Sequence, residues 1–462
     1  MCVNWQVLRL IAWALAPGLC AGMGVAMRAS RNRLVILGLD GLPYSLAQTL
    51  CRAGKLPNLA SLTLSPHSRA IRAELPELSP VNWASLITGK NPGRHGVFGF
   101  SRIDPATYSL SLTDSSALLA PSLFERLGEK GMISKVINLP GAYPARPING
   151  MMVAGFVAHD LAAAVYPPFL ASILAAEGYQ LEADTTRGNS DPDYLLSQVR
   201  ATLRARARAL ELFWPDLAWD LFMLVLTETD RLFHFFYPAA ANPEHSLHEA
   251  FLAFFVEWDR LIGQILDRYE SLPAPKRLMV LADHGFTQCR TEVDLNAWLA
   301  GQGLLKLKGG AGEFDSRAMA PHETAAFALD PGRIYINTKE RFARGVFHQY
   351  VGETLKAEIR EALLGLSFEG EPVVAAVHDA REIYSGPFVS KAPDLVCEAW
   401  PGFSLTGKFD RTAVFGLYGR SGCHTVGDAF FYDSAGSAPA TISEAGRELF
   451  AHFGLTPTDH AH

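Results

Sequence analysis

The chain has no excess of positive charge, no closely spaced cysteines and, past residue 26, no apolar run long enough to cross a bilayer. A formal net charge of −6 over 462 residues leaves no basic field for gripping a nucleic-acid polymer. The densest basic run, RATLRARARALE (200–211), alternates with alanine and leucine and reads as a solvated helix face. Cys2, Cys20, Cys51, Cys289, Cys397 and Cys423 show no CxxC spacing, which excludes a zinc finger and points to free thiols in a reducing compartment. With 49% hydrophobic and 19% charged residues, the chain is neither disordered nor fibrous. Its length suggests about three domains, a soft prior that a single α/β enzyme with long insertions also meets.

Residues 1–30 stand apart. Leu10 to Ala26 is uncharged and mostly apolar, and fits a signal peptide with Gly24 and Ala26 before a cleavage point, a membrane anchor, or sequence upstream of a true start at Met27. The missing basic cluster ahead of Arg9 and the interruption at Pro17 count against a signal peptide. Cysteine usage favours the cytoplasm, with export or anchoring through residues 1–26 as the alternative.

Elsewhere, three short apolar runs stop abruptly at an acid. RLVILGLDG (33–41) ends at Asp40, DLFMLVLTETD (220–230) at Asp230, and RLMVLADHGF (277–286) contains Asp283 and His284. Each reads as a buried parallel strand, and helical patterns lie between them, including EHSLHEAFLAFFVEWDRLIGQILDRYESL (244–272). The expected fold is an α/β/α sandwich around a mostly parallel central sheet. In such sheets the carboxyl ends of the strands line the ligand crevice, so the three aspartates converge there.

One aspartate after a strand is commonly a turn or helix cap. Three together repel one another unless a cation sits among them, so the cluster predicts bound metal. His234 follows Asp230 by four residues and shares its face if a helix starts there. His284 abuts Asp283, and His424 in GRSGCHTVGDAFFYD is a third candidate. Aspartate and histidine without thiolate suit zinc or manganese in a catalytic site. His95, between glycines, reads as a loop-fixing residue, Lys90 and Arg94 as solvated, and His245 and His248 as lying on the polar face of the long helix.

The block ELSPVNWASLITGKNPGRHG (77–96) places Ser79 before Pro80, an ideal helix start with serine as N-cap. A helix N-terminus is also where a phosphate would sit, so Ser79 can be cap, nucleophile or both. Asn82, one turn on, could reach the same oxyanion or could cap a turn.

These pieces, LGLDG, SPVNWASLITGKNPGRHGVFGF, TDRLFHFF, ADHGF and GCHTVGDAFF, resemble the alkaline phosphatase superfamily, in its branch of type I phosphodiesterase/nucleotide pyrophosphatase-like predicted phosphohydrolases or phosphomutases. The likeness runs from about residue 33 to about 455. It implies two divalent ions, zinc or alternatively manganese, one held by Asp40, Ser79, Asp283 and His284 and the other by Asp230, His234 and His424. It also implies that Ser79 is the nucleophile, forming a phospho-serine, and that Asn82 holds phosphoryl oxygens.

The resemblance further implies one catalytic domain over 31–460 with cap-like insertions at about 101–215 and 287–415. The substrate would be a small phosphate ester, most simply a phosphodiester or nucleotide pyrophosphate. A phosphomutase or phosphomonoesterase is the alternative, and a non-catalytic metal-stabilised binding protein a more distant one. A sulfatase is excluded, because Val81 and Trp83 stand where its maturation pattern needs proline and arginine. Arg290, Lys306, Lys308, Arg333 and Lys339 are the cations that could meet a phosphate from the cap-like segments.

Overall fold

Eight strands form the central sheet of the computed structural model, in the order Ser68–Ile71, Ala429–Asp433, Lys276–Leu281, Arg33–Leu39, Leu221–Leu226, Ser134–Leu139, Gly150–Ala154 and Val165–Tyr166. The structure describes residues 31–310 and 312–458, so the N-terminal segment and its three readings lie outside the described residues, as do His460 and His462. The five strands from Lys276–Leu281 to Gly150–Ala154 are mutually parallel, and the edges are closed by antiparallel pairings. RLVILGL and LFMLVL are buried at every position, as strands covered on both faces must be. Helices pack over the sheet to complete the expected α/β/α architecture. One is the 23-residue His248–Glu270, which rests against Pro57–Thr63 and Pro192–Phe213.

Several sequence expectations are corrected. The segment 101–215 is not simply a cap, because Ser134–Leu139, Gly150–Ala154 and Val165–Tyr166 belong to the central sheet. SKVINL and GMMVA are runs of six and five residues, too short for periodicity to separate strand from helix. The strand before Asp230 ends at Leu226, four residues early. The long helix begins at His248 rather than residue 244, and His248 is buried with its Nδ1–H donating to the Ala239 carbonyl at 2.9 Å. Arg206, inside the basic run, is fully buried and donates to the Gln180 and Leu181 carbonyls. Lys90 is buried and bonds the Thr458 carbonyl.

The segment 287–415 folds into a three-stranded and a four-stranded sheet around its own core, which includes Val293, Trp298, Phe327, Tyr335 and Phe403. It is tied to the loop before Ser79 by the Tyr384 hydroxyl, which donates to the Leu75 carbonyl at 2.7 Å. Arg333 is buried and spends its donors on Asp330 and Ser101, so it is a structural cation. Cys51, Cys289, Cys397 and Cys423 are free and buried. Among the described residues no helix is long and apolar enough to cross a membrane.

Candidate active site

Asp40 follows the last residue of its strand, and Gly41 then turns the chain with φ +70°. A Cβ there would press within 3.1–3.2 Å of Phe286 and Asp230, so glycine lets the site close. Asp283 and His284 follow the neighbouring strand Lys276–Leu281. Asp230 lies in the first turn of the helix Glu228–Ala241, with His234 one turn on, as the four-residue spacing requires. His424 sits in the strand Gly422–Thr425, paired antiparallel with Gly285–Gln288 so that Phe286 stands opposite it. Six of the eight sequence-selected residues thus come from four separate elements to one place.

The donor atoms are close. Asp230 Oδ1 lies 3.3 Å from His234 Nε2 and 3.4 Å from His424 Nε2, and the two histidine nitrogens are 3.2 Å apart. His284 Nε2 lies 3.4 Å from Asp283 Oδ2 and 3.9 Å from both Asp40 Oδ1 and Asp230 Oδ1. The donors of Asp230, His234 and His424 form one compact group and those of Asp40, Asp230 and His284 a second, each within 4.8 Å. Asp230 therefore belongs to both groups rather than to one.

Ser79 joins them through a correction to its local role. The N-cap is Leu78, in extended conformation, and Ser79 is already helical with Pro80 beside it. Released from capping, the Ser79 hydroxyl lies 3.3 Å from His284 Nε2 and 3.5 Å from Asp40 Oδ1. Asn82 does not join. It is fully buried, its Oδ1 accepts from the Glu74 N–H at 2.6 Å, and its Nδ2 donates to the Leu78 and Glu74 carbonyls. Its amide is used up in bracing the loop that leads to Ser79. His95 is buried and fixes its loop, bonded to Ser85 Oγ at 2.9 Å and accepting from the Val97 N–H.

Burial, then the negative charges of Asp283 and Asp230, raises the Asp40 carboxyl well above its usual range. Burial and Asp230 likewise lift Asp283 to about 7. Asp230 goes the other way: burial opposes its charge, but His234, His424 and Arg231 outweigh burial and hold it well below the ordinary value. Burial and the other two histidines depress His424 to about 3, so its imidazole is neutral at physiological pH. His424 Nδ1–H donates to the Glu77 carbonyl at 2.7 Å, which turns the Nε2 lone pair inward.

These observations fit bound divalent metal. Asp230 Oδ1 and Asp283 Oδ2 are buried without a hydrogen-bond partner. The three edges among Asp230 Oδ1, His234 Nε2 and His424 Nε2 match the ligand spacing of about 3.3 Å that a tetrahedral zinc with bonds near 2.05 Å imposes. The strand-end donors are spaced more loosely.

Three contacts escaped the sequence reading. Trp83 Nε1 donates to Asp40 Oδ2 at 3.2 Å, Arg231 Nη1 donates to Asp230 Oδ2 at 2.8 Å, and the Phe286 ring packs edge-on against His234 and His424. Trp83 reads as part of an apolar helix face, and only its place one turn after Ser79 hints otherwise.

The family model for type I phosphodiesterase/nucleotide pyrophosphatase matches residues 34–427. Among solved structures, the fold is similar to phosphonoacetate hydrolase from Sinorhizobium meliloti 1021 in complex with phosphonoacetate, at TM-score 0.60 and 15% identity over 92% of this chain and 96% of that one. It is also similar to murine ectonucleotide pyrophosphatase/phosphodiesterase 5, at TM-score 0.54 and 15% identity over 93% and 97% of the two chains. A mutant of the alkaline phosphatase PafA aligns at TM-score 0.55 and 11% identity over 92% and 96%. No curated protein matches by sequence.

Proposed function

Because the chain belongs to the type I phosphodiesterase/nucleotide pyrophosphatase family and is a phosphoric ester hydrolase of the alkaline phosphatase superfamily, we propose that it cleaves small phosphodiesters or nucleotide pyrophosphates by attack of Ser79. The observation that carries this reading is the Ser79 hydroxyl, free of capping and 3.3–3.5 Å from His284 Nε2 and Asp40 Oδ1.

Two divalent ions, zinc or alternatively manganese, suit the nitrogen and carboxylate donors, with Asp230, His234 and His424 for one and Asp40, Asp283, His284 and Ser79 for the other, and with Asp230 within reach of both. When bound, such ions supply positive charge that favours the serine alkoxide and offsets charge on the phosphoryl oxygens. Ser79 Oγ attacks phosphorus in line with the departing ester oxygen, which leaves with a proton as the alcohol or phosphate product. The helix starting at Ser79 turns its positive dipole end toward the phosphoryl group. Water then attacks the phospho-serine, the P–Oγ bond breaks, and Ser79 regains its proton. Asn82 holds the Glu74–Leu78 loop and so the position of the serine, without touching substrate. The 287–415 segment, anchored beside that loop, shapes the approach to the serine.

The test is hydrolysis of bis-p-nitrophenyl and p-nitrophenyl phosphates with zinc or manganese. Turnover of the diester by the wild type and its loss in Ser79→Ala, with circular dichroism and metal content unchanged, is the expected result. Absence of turnover of either ester in wild-type protein shown to hold metal would sink the proposal.

A further inference from the structure

Asp230 has two oxygens in different circumstances. Oδ1 faces the Nε2 atoms of His234, His424 and His284 at 3.3, 3.4 and 3.9 Å and has no hydrogen-bond partner, whereas Oδ2 accepts from Arg231 Nη1 at 2.8 Å. Arg231 in turn donates from Nε to Glu182 Oε2 at 3.1 Å, and its guanidinium lies 4.4 Å from the centre of the Phe156 ring. Glu182 reaches in from the loop ahead of the helix Pro192–Phe213, far from Asp230 in sequence. Its side chain and that of Arg231 are 18% and 15% exposed, so the pair is largely withdrawn from solvent and its geometry is held by packing.

We propose that Arg231, anchored by Glu182, is a positioning residue that commits one oxygen of Asp230 so that the other is presented to both metal groups. This rests on the reading of the site as a metal centre. A carboxylate without such a partner is free to rotate and offer either oxygen, or both, to one cation. Arg231 removes that freedom without becoming a ligand, and it neutralises one of three crowded carboxylates. The planar guanidinium can bond Asp230 and Glu182 at once from separate nitrogens, whereas a lysine ammonium is a single point charge that serves one of them well. Partners that orient a metal-binding side chain in this way contribute about 10- to 100-fold to metal affinity.

The experiment titrates metal-stripped protein with cobalt(II) alone, following its visible absorption, for wild type, Arg231→Lys, Arg231→Gln, Glu182→Gln and, as a reference, Asp230→Asn. Thermal melts of the stripped proteins confirm folding. Arg231→Gln is expected to bind cobalt at least about tenfold more weakly with an altered absorption band, and Glu182→Gln to shift both in the same direction by less. Arg231→Lys should recover part of the affinity, and at saturating metal the loss in Arg231→Gln should fall on kcat more than on KM. If Arg231→Gln does not fold, the Glu182→Gln and Arg231→Lys titrations carry the decision. Wild-type affinity and spectrum in the Arg231 and Glu182 variants, with binding lost in Asp230→Asn, would overturn the positioning role alone. Undiminished binding in Asp230→Asn would overturn the metal reading, and the positioning role with it.

Discussion

The strand-end half of the site, Asp40, Asp283 and His284, and the helix half, Asp230, His234 and His424, bury the same kinds of group in opposite conditions. In the helix half the donor spacings are 3.2–3.4 Å and Asp230 is held charged by His234, His424 and Arg231. In the strand-end half the histidine-to-aspartate spacings run from 3.4 to 3.9 Å, and burial and mutual repulsion push Asp40 and Asp283 toward their protonated forms. One half is arranged for a cation in advance, and the other needs the cation to complete it. Ser79, the nucleophile of the proposed mechanism, stands on the second half, within 3.3–3.5 Å of His284 and Asp40.

The largest expected effect belongs to Ser79→Ala, with kcat/KM for a diester falling on the order of a thousandfold or more while metal content stays at the wild-type level, measured by initial rates and elemental analysis. Next comes a contrast between the halves. Asp230→Asn should cost the protein both ions because both groups share that residue, whereas Asp283→Asn should cost only the ion on its own side. Equal losses from the two variants would erase the distinction drawn between them.

A pH experiment sharpens the same contrast. Carboxyls raised in the folded state, as Asp40 and Asp283 are, stabilise the metal-stripped protein fully below the unfolded value near 3.9 and lose that contribution as pH rises through the folded value, which for Asp283 is about 7. Because the depressed His424 acts in the opposite sense over the same window, the Asp283 contribution is read as the stability of the stripped wild type minus that of stripped Asp283→Asn, which should fall from pH 5.5 to pH 8 at up to about 1.4 kcal/mol per pH unit, and saturating zinc should abolish the trend. Calorimetry of both stripped proteins across that range checks it, and a difference that shifts in favour of the wild type toward pH 8 would contradict it. The smallest effect is Trp83→Phe, which removes the N–H donated to Asp40 Oδ2 in a fully buried place. A loss of about 1–3 kcal/mol in thermal stability is expected, with metal retained.

The helix half was legible because its spacing is local. Asp230 and His234 are four residues apart, and a helix puts them together whatever surrounds it. The strand-end aspartates could be placed because apolar runs that stop at an acid mark the carboxyl edge of a parallel sheet. What escaped depends on long-range contacts. Asn82 looked free to meet an oxyanion, yet Glu74 and Leu78 take its whole amide once the loop folds back. Ser79 before Pro80 suggested a cap, but the extended Leu78 begins the helix one residue earlier and frees the hydroxyl. Arg231 could not be distinguished from a solvated charge, because Glu182 lies far away in the chain. The strands within 101–215 were hidden because a buried strand of five or six residues has no periodicity of its own.

The most direct test of the central claim is rapid acid quenching of wild-type enzyme during diester turnover, followed by peptide mass spectrometry over residues 77–96. A phosphoryl group found on Ser79, appearing and decaying at rates compatible with turnover, is the predicted result. Turnover with no phosphoryl group on Ser79 at any quench time, in an enzyme whose Ser79→Ala variant remains active, would contradict it.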